Sequence, residues 1–116
     1  MIKTKKYYLS VDLQSLASSS TRNKDERKRD AAWAEICDVL FARAGVLNQR
    51  IPQQDLFALL GEPDRIKMLN GSEIWEYDCI GKYGPSEFQS TTHFQLANGI
   101  VIGIAKNGED CRIKPV

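Results

Sequence analysis

Along residues 6–13 the side chains alternate, with Tyr7, Leu9, Val11 and Leu13 on one side and Tyr8, Ser10 and Asp12 on the other. A period of two predicts a half-buried N-terminal strand, although Leu9, Leu13 and Leu16 also fit a helical stripe. The polar stretch from Ser15 to Asn23 reads as a linker, with Ser20 or Thr21 placed to cap a following helix. The mixed charges of Asp25, Glu26, Arg27, Lys28, Arg29 and Asp30 then read as the solvated first turns of that helix. Its packed side is Trp33, Ile36, Cys37, Leu40, Phe41 and Ala44, spaced by threes and fours, and Gly45 is placed to end it in a left-handed cap. A shorter helix follows. Pro52 suits its first turn because the missing N–H costs nothing there. Leu56, Leu59 and Leu60 form its apolar side, with Phe57 flanking, and Gly61 and Pro63 stop it.

From Ile66 onwards the alternation returns. Ile66 and Met68 share one face of a strand, and Trp75, Tyr77 and Cys79 share one face of the next. A two-residue Asn70-Gly71 loop pairs Leu69 with Ser72 and sets Met68 opposite Glu73 and Ile66 opposite Trp75, so both apolar sets point the same way. For the next hairpin, Phe88, Phe94 and Leu96 lie on one face of their strand, and Ile100, Ile102 and Ile104 on one face of theirs. A three-residue loop, Ala97-Asn98-Gly99, pairs Leu96 with Ile100 and Phe94 with Ile102, whereas a two-residue loop separates those sets. The three-residue loop is therefore expected. Asn107-Gly108 offers a further turn, and residues 110–114 a short edge strand. The fold class is α+β: an N-terminal strand, two helices, then an antiparallel meander of about four strands packed on the helices. Residues 1–116 make one domain, with 1–22 as its N-terminal strand and linker.

Composition narrows the function classes. Sixteen basic and fifteen acidic side chains leave a formal charge of +1, without the basic excess that phosphate binding calls for. Nucleic acid is therefore not an expected partner. The basic N-terminus, Lys3, Lys5 and Lys6 beside Tyr7 and Tyr8, resembles a base-stacking arm but reads better as a frayed terminus. Ser10, Asp12 and Gln14 interrupt what would be the apolar core of an export signal, and no window approaches the roughly 18 apolar residues of a membrane span. The expected location is the cytoplasm, with no membrane contact. Cys37, Cys79 and Cys111 are odd in number and widely spaced, which fits neither a disulfide framework nor a zinc site and suits buried, reduced thiols.

Candidate chemistry is sparse. His93 is the only histidine, which disfavours a histidine-based metal site. A Cys79–His93 nucleophilic pair is conceivable, but the alternation sends the two side chains to opposite faces of the sheet. Glu62, Asp64, Glu73, Glu76 and Asp78 offer carboxylates, which read as solvated turn and strand positions. Residues 81–85, Gly-Lys-Tyr-Gly-Pro, lack the spacing of a phosphate loop. No catalytic residue, cofactor or metal is expected.

The run Leu59-Leu60-Gly61-Glu62-Pro63-Asp64, then Asn70-Gly71, then Glu73-Ile74-Trp75-Glu76-Tyr77 resembles the pattern of the SmpA/OmlA (BamE-like) outer-membrane lipoprotein domain. That domain shares its helix–helix–meander design with β-lactamase-inhibitor proteins. The resemblance spans about residues 50–106. It implies a non-enzymatic domain that docks onto other proteins, with Trp75 and Tyr77 in the core. Unlike the lipoproteins, the chain shows no lipidated N-terminal Cys.

The expectation is a non-catalytic protein-binding module, most concretely an intracellular inhibitor or immunity-type protein that occludes a toxin or enzyme. Its contact would be the sheet face turned away from the helices: Glu76, Asp78, Gln89, Thr91, His93 and Gln95, with Tyr83 in the adjoining loop. Glu76 and Asp78 there read as an acidic stripe suited to a basic partner. The alternatives are a structural accessory component of an envelope or phage assembly and, more remotely, a small thiol-dependent enzyme using Cys79 and His93.

Overall fold

The computed structural model describes residues 4–21, 23–45, 48–107 and 109–112, apart from the side chains of residues 82, 83 and 109–112. The readings that fall on Lys3, on the side chains of Tyr83 and Cys111, and on residues 113–114 therefore lie outside what is described. The architecture is α+β. Helices α1 (Lys5–Ser10), α2 (Leu13–Ser19), α3 (Ala31–Gly45) and α4 (Gln53–Leu60) precede strands β1 (Arg65–Leu69), β2 (Ser72–Tyr83), β3 (Ser86–Ala97), β4 (Ile100–Lys106) and β5 (Glu109–Arg112). The strands form one antiparallel sheet in the order β1-β2-β3-β4-β5.

The N-terminal strand is overturned: residues 5–19 form two short helices. Each has its own side-chain cap. Thr4 accepts from the N–H of Tyr7, and Asp12 from those of Gln14 and Ser15. Capping answers the orphan N–H groups of a helix start, and the alternating pattern carries no information about it. Leu13 and Leu16 pack against the core, as the helical stripe requires. Tyr7 O–H donates to Glu35 of α3, and Arg43 donates to the carbonyls of Tyr8 (2.9 Å) and Val11 (2.6 Å), closing the C-terminal end of α1.

The start of the long helix is also corrected. Residues 27–29 form a 3-10 turn, and α3 begins only at Ala31. Its cap is Asp30, which accepts from the N–H groups of Ala32 (2.9 Å) and Trp33 (3.4 Å), rather than Ser20 or Thr21. Arg27, expected in solvent, is 4% exposed. Its guanidinium donates to the carbonyls of Leu60 (3.1 Å) and Glu62, pairs with Asp64 at 3.6 Å and lies over the rings of Trp33 and Tyr77. Trp33 Nε1 donates to Leu60 O at 3.1 Å and Tyr77 O–H to Gly61 O at 2.8 Å. The exit of α4, where carbonyls lack helical partners and the dipole is negative, is thus closed by one buried cation and two aromatic donors. The Leu-Leu-Gly-Glu-Pro-Asp run has a local physical reason in this socket. Gly45 is helical, the last residue of α3, and a left-handed residue follows at Asn48 (φ 52°). Pro52 caps α4 from just outside its first turn.

The β1–β2 register is the expected one, with Ile66 opposite Trp75 and Leu69 opposite Ser72 across Asn70 (φ 50°) and Gly71 (φ 83°). The β3–β4 loop is corrected. It has two residues, Asn98 (φ 53°) and Gly99 (φ 76°), and pairs Ala97 with Ile100 and Leu96 with Val101. A register shift between Gln95 and Leu96 then sets Phe94 opposite Ile104. The extra residue, Ile102, is a bulge that restores the face which a two-residue loop alone would invert. The core consequently takes Val101 and Ile104, both buried, and leaves Ile100 and Ile102 half-buried. Trp33, Ile36, Cys37, Leu40, Leu56 and Leu60 from the helices meet Trp75, Tyr77, Cys79, Phe94 and Leu96 from the sheet. At the edge the expectation fails differently: Ile66 and Met68 share the face of Trp75 but are 54% and 67% exposed, because the helix layer stops short of β1.

Candidate functional site

The sheet face opposite the helices carries Arg65, Lys67 and Leu69 of β1, Glu76 and Asp78 of β2, and Gln89, Thr91, His93 and Gln95 of β3. Register places Arg65 opposite Glu76, Glu76 opposite His93, Asp78 opposite Thr91, Ile80 opposite Gln89 and Ile74 opposite Gln95. Six of the seven sequence-derived contact residues therefore share one surface; the side chain of the seventh, Tyr83, is not described.

Two carboxylates organise this surface. Arg65 Nε donates to Glu76 Oε1 at 2.7 Å, while its two terminal nitrogens grip Asp78 at 2.9 and 2.7 Å. The planar fork of a guanidinium fits such paired acceptors, and Lys would not reproduce it. On the second oxygen of Glu76 converge Lys67 Nζ (3.3 Å) and His93 Nδ1 (2.9 Å). Asp78 also accepts from Thr91 Oγ1 at 2.8 Å, and its backbone N–H donates to Asp64 at 2.9 Å. Glu76 is buried under the side chains that bind it: its own side chain is 4% exposed, and that of His93 36%.

The electrostatics follow from these contacts. Burial acts to raise the Glu76 carboxyl, but the hydrogen bonds from Arg65 and Lys67 outweigh it, and the group titrates below the usual carboxylate range. Asp78 is lowered chiefly by its hydrogen bonds from Arg65, which overcome partial burial, with help from Thr91 and Gln89. Arg65 is raised further, first by Asp78 and then by Glu76. The acidic stripe is corrected accordingly. Glu76 and Asp78 are matched by Arg65 and Lys67, and the face is a charge-balanced, cross-linked platform.

Beside it runs the β1 edge of the sheet, unpaired among the described residues. Leu69 and Ser72 close a two-residue turn as a hydrogen-bonded pair, so by the alternation of an antiparallel ladder the backbone groups of Ile66 and Met68 point outward from β1. Both side chains are exposed, as are Leu69 at the end of β1 and Phe57 of α4. Phe57, Pro52, Trp75 and Gly99 line a shallow cleft of about 490 Å³ between α4 and the sheet.

No catalytic pair is assembled from Cys79 and His93. Cys79 is buried on the helix side, where its Sγ lies 3.9 Å from that of Cys37, and His93 points the other way onto Glu76. Among the described residues no three His, Cys, Asp or Glu side chains gather as metal ligands do. Sequence reasoning missed Arg65 and Lys67, yet the signal was present. The same register that sets Ile66 opposite Trp75 sets Arg65 opposite Glu76 and Lys67 opposite Ile74, two positions along β2 from Glu76. It also missed the β1 edge, because exposure there depends on where the helices end. No protein-family model, curated protein or solved structure matches the chain.

Proposed function

We propose that this chain is a non-catalytic protein-binding module, an intracellular inhibitor or immunity-type protein that occludes a partner enzyme or toxin with the open face of β1–β3. The observation that carries the reading is the platform itself. Arg65, Lys67, His93, Asp78 and Thr91, around a buried Glu76, are bonded together across three adjacent strands of one sheet face. Side chains already held in place lose little freedom on association, and this lowers the cost of binding. The balanced charge favours a partner that matches the face by hydrogen bonding and shape over one drawn by net field. The resemblance to the SmpA/OmlA and β-lactamase-inhibitor design belongs to the same proposal, as does a reducing location, with which the free thiols of Cys37 and Cys79 accord.

The test is capture from the source cell's lysate on immobilised protein, identification of the captured species, and titration of the purified pair. The expected result is a stoichiometric complex that suppresses the partner's activity and is weakened at least tenfold by Gln89→Arg and by Lys67→Glu, with folding intact. A partner whose affinity ignores both changes would refute the assigned face. A second reading, an accessory component of a larger assembly, is favoured by the β1 edge, whose outward backbone groups and apolar Ile66 and Met68 suit strand addition. It predicts that Met68→Lys, rather than Gln89→Arg, abolishes the complex.

A further inference from the structure

Cys37 and Cys79 face each other across the helix–sheet interface with their sulfurs 3.9 Å apart, at contact distance, and both are free thiols. They sit in the middle of α3 and of β2, 42 residues apart in sequence. Beyond the binding proposal, and independent of it, we propose that these two residues are a redox-active dithiol that a small disulfide oxidant such as oxidised glutathione converts to an intramolecular bridge between α3 and β2.

The geometry supplies what the reaction needs. Bonding requires the sulfurs to close from 3.9 Å to about 2.05 Å, and so a shift of both side chains at the helix–sheet interface. The surroundings distinguish the two sulfurs. Cys79 is 7% exposed and Cys37 wholly buried. The contact between the two sulfurs lowers the Cys79 thiol against the effect of burial, while burial pushes Cys37 well up. Ser90 lies directly opposite Cys79 in the β2–β3 ladder, and its buried hydroxyl has no hydrogen-bond partner among the described residues. A cleft of about 380 Å³ lined by Ala34, Asp38 and Gly81 opens one helical turn from Cys37 and two strand positions from Cys79.

The steps balance. The Cys79 thiolate attacks one sulfur of oxidised glutathione, forming a mixed disulfide and releasing glutathione thiolate. Cys37 then attacks Sγ of Cys79; the new S–S bond forms, the mixed disulfide breaks, and the Cys37 proton leaves with the second glutathione. Two protein thiols are oxidised by two electrons, and one glutathione disulfide is reduced to two thiols.

The experiment uses the full chain carrying Cys111→Ser, so that only the pair remains, equilibrated in glutathione buffers and quenched by acid. The expected product has lost two hydrogens and both free thiols. Its peptide map joins Cys37 to Cys79, dithiothreitol restores it, and it melts at a higher temperature than the reduced form. In native buffer the pair should oxidise at a potential more reducing by at least about 30 mV, or tenfold, than the same chain in urea. Persistent thiols in excess oxidised glutathione, glutathione adducts without a bridge, or equal potentials in native buffer and urea would overturn the proposal. None of these outcomes depends on whether the open face binds a partner.

Discussion

A single side chain, Arg27, shows how far local context overrides a charge pattern. Within the run Asp25 to Asp30 it looks solvated, yet it is the cation that closes the exit of α4. Removing it takes one donor each from the buried carbonyl of Leu60, the carbonyl of Glu62 and the half-buried carboxylate of Asp64, and empties the space over Trp33 and Tyr77. Breaking a buried charge arrangement from one side costs roughly 3–5 kcal/mol. Arg27→Ala should therefore lower the free energy of unfolding in urea by about that amount, a large part of a small domain's total stability. Arg27→Lys should recover little, because an ammonium cannot bridge two carbonyls and stack on Trp33 and Tyr77 at once. A loss under about 1 kcal/mol for Arg27→Ala would show that the socket closes without it.

At the scale of elements, legibility followed periodicity and ended where tertiary cover decided. The α3 stripe, the α4 stop at Gly61 and the β1–β2 register follow from spacing and turn chemistry, which are local. The N-terminal helices were misread because an alternating run six to eight residues long fits both templates, and Thr4 and Asp12 decide between them as caps. The β3–β4 hairpin was misread because a bulge lets Val101 and Ile104, three apart, share a face. That correction is testable by paired truncations. Val101→Ala should cost about 1–3 kcal/mol, as a fully buried site does, and Ile102→Ala clearly less. The three-residue loop would have predicted the reverse order. At β1, Ile66→Thr and Met68→Thr should each change stability by no more than about 0.5 kcal/mol, since both side chains are mostly in water. Larger losses at β1 in thermal or urea unfolding would mean that the strand is covered in solution.

For the whole molecule, the two faces of one sheet are held by different forces, and pH separates them. The helix side is held by burial, which acid leaves largely unchanged. The open side is held by Glu76 and Asp78 against Arg65, Lys67 and His93, and both carboxylates titrate below their unfolded values of about 4.3 and 3.9. A carboxylate lowered in the fold binds fewer protons there than in the unfolded chain. It therefore contributes its full stability above the unfolded value and loses it as pH falls through the folded one. The melting temperature should accordingly hold from neutral pH down to about 5 and fall progressively below about 4. Asp78→Asn removes one of the two groups, so its curve should start lower at neutral pH and slope less steeply in acid. The two curves converge as the wild-type carboxylates are protonated. Parallel curves would mean that Asp78 is not coupled to folding through Arg65. The same titration frees Arg65 and Lys67 from their counter-charges, which converts a balanced surface into a cationic one before the core gives way. A complex formed on this face should therefore dissociate at a higher pH than the one at which the protein unfolds.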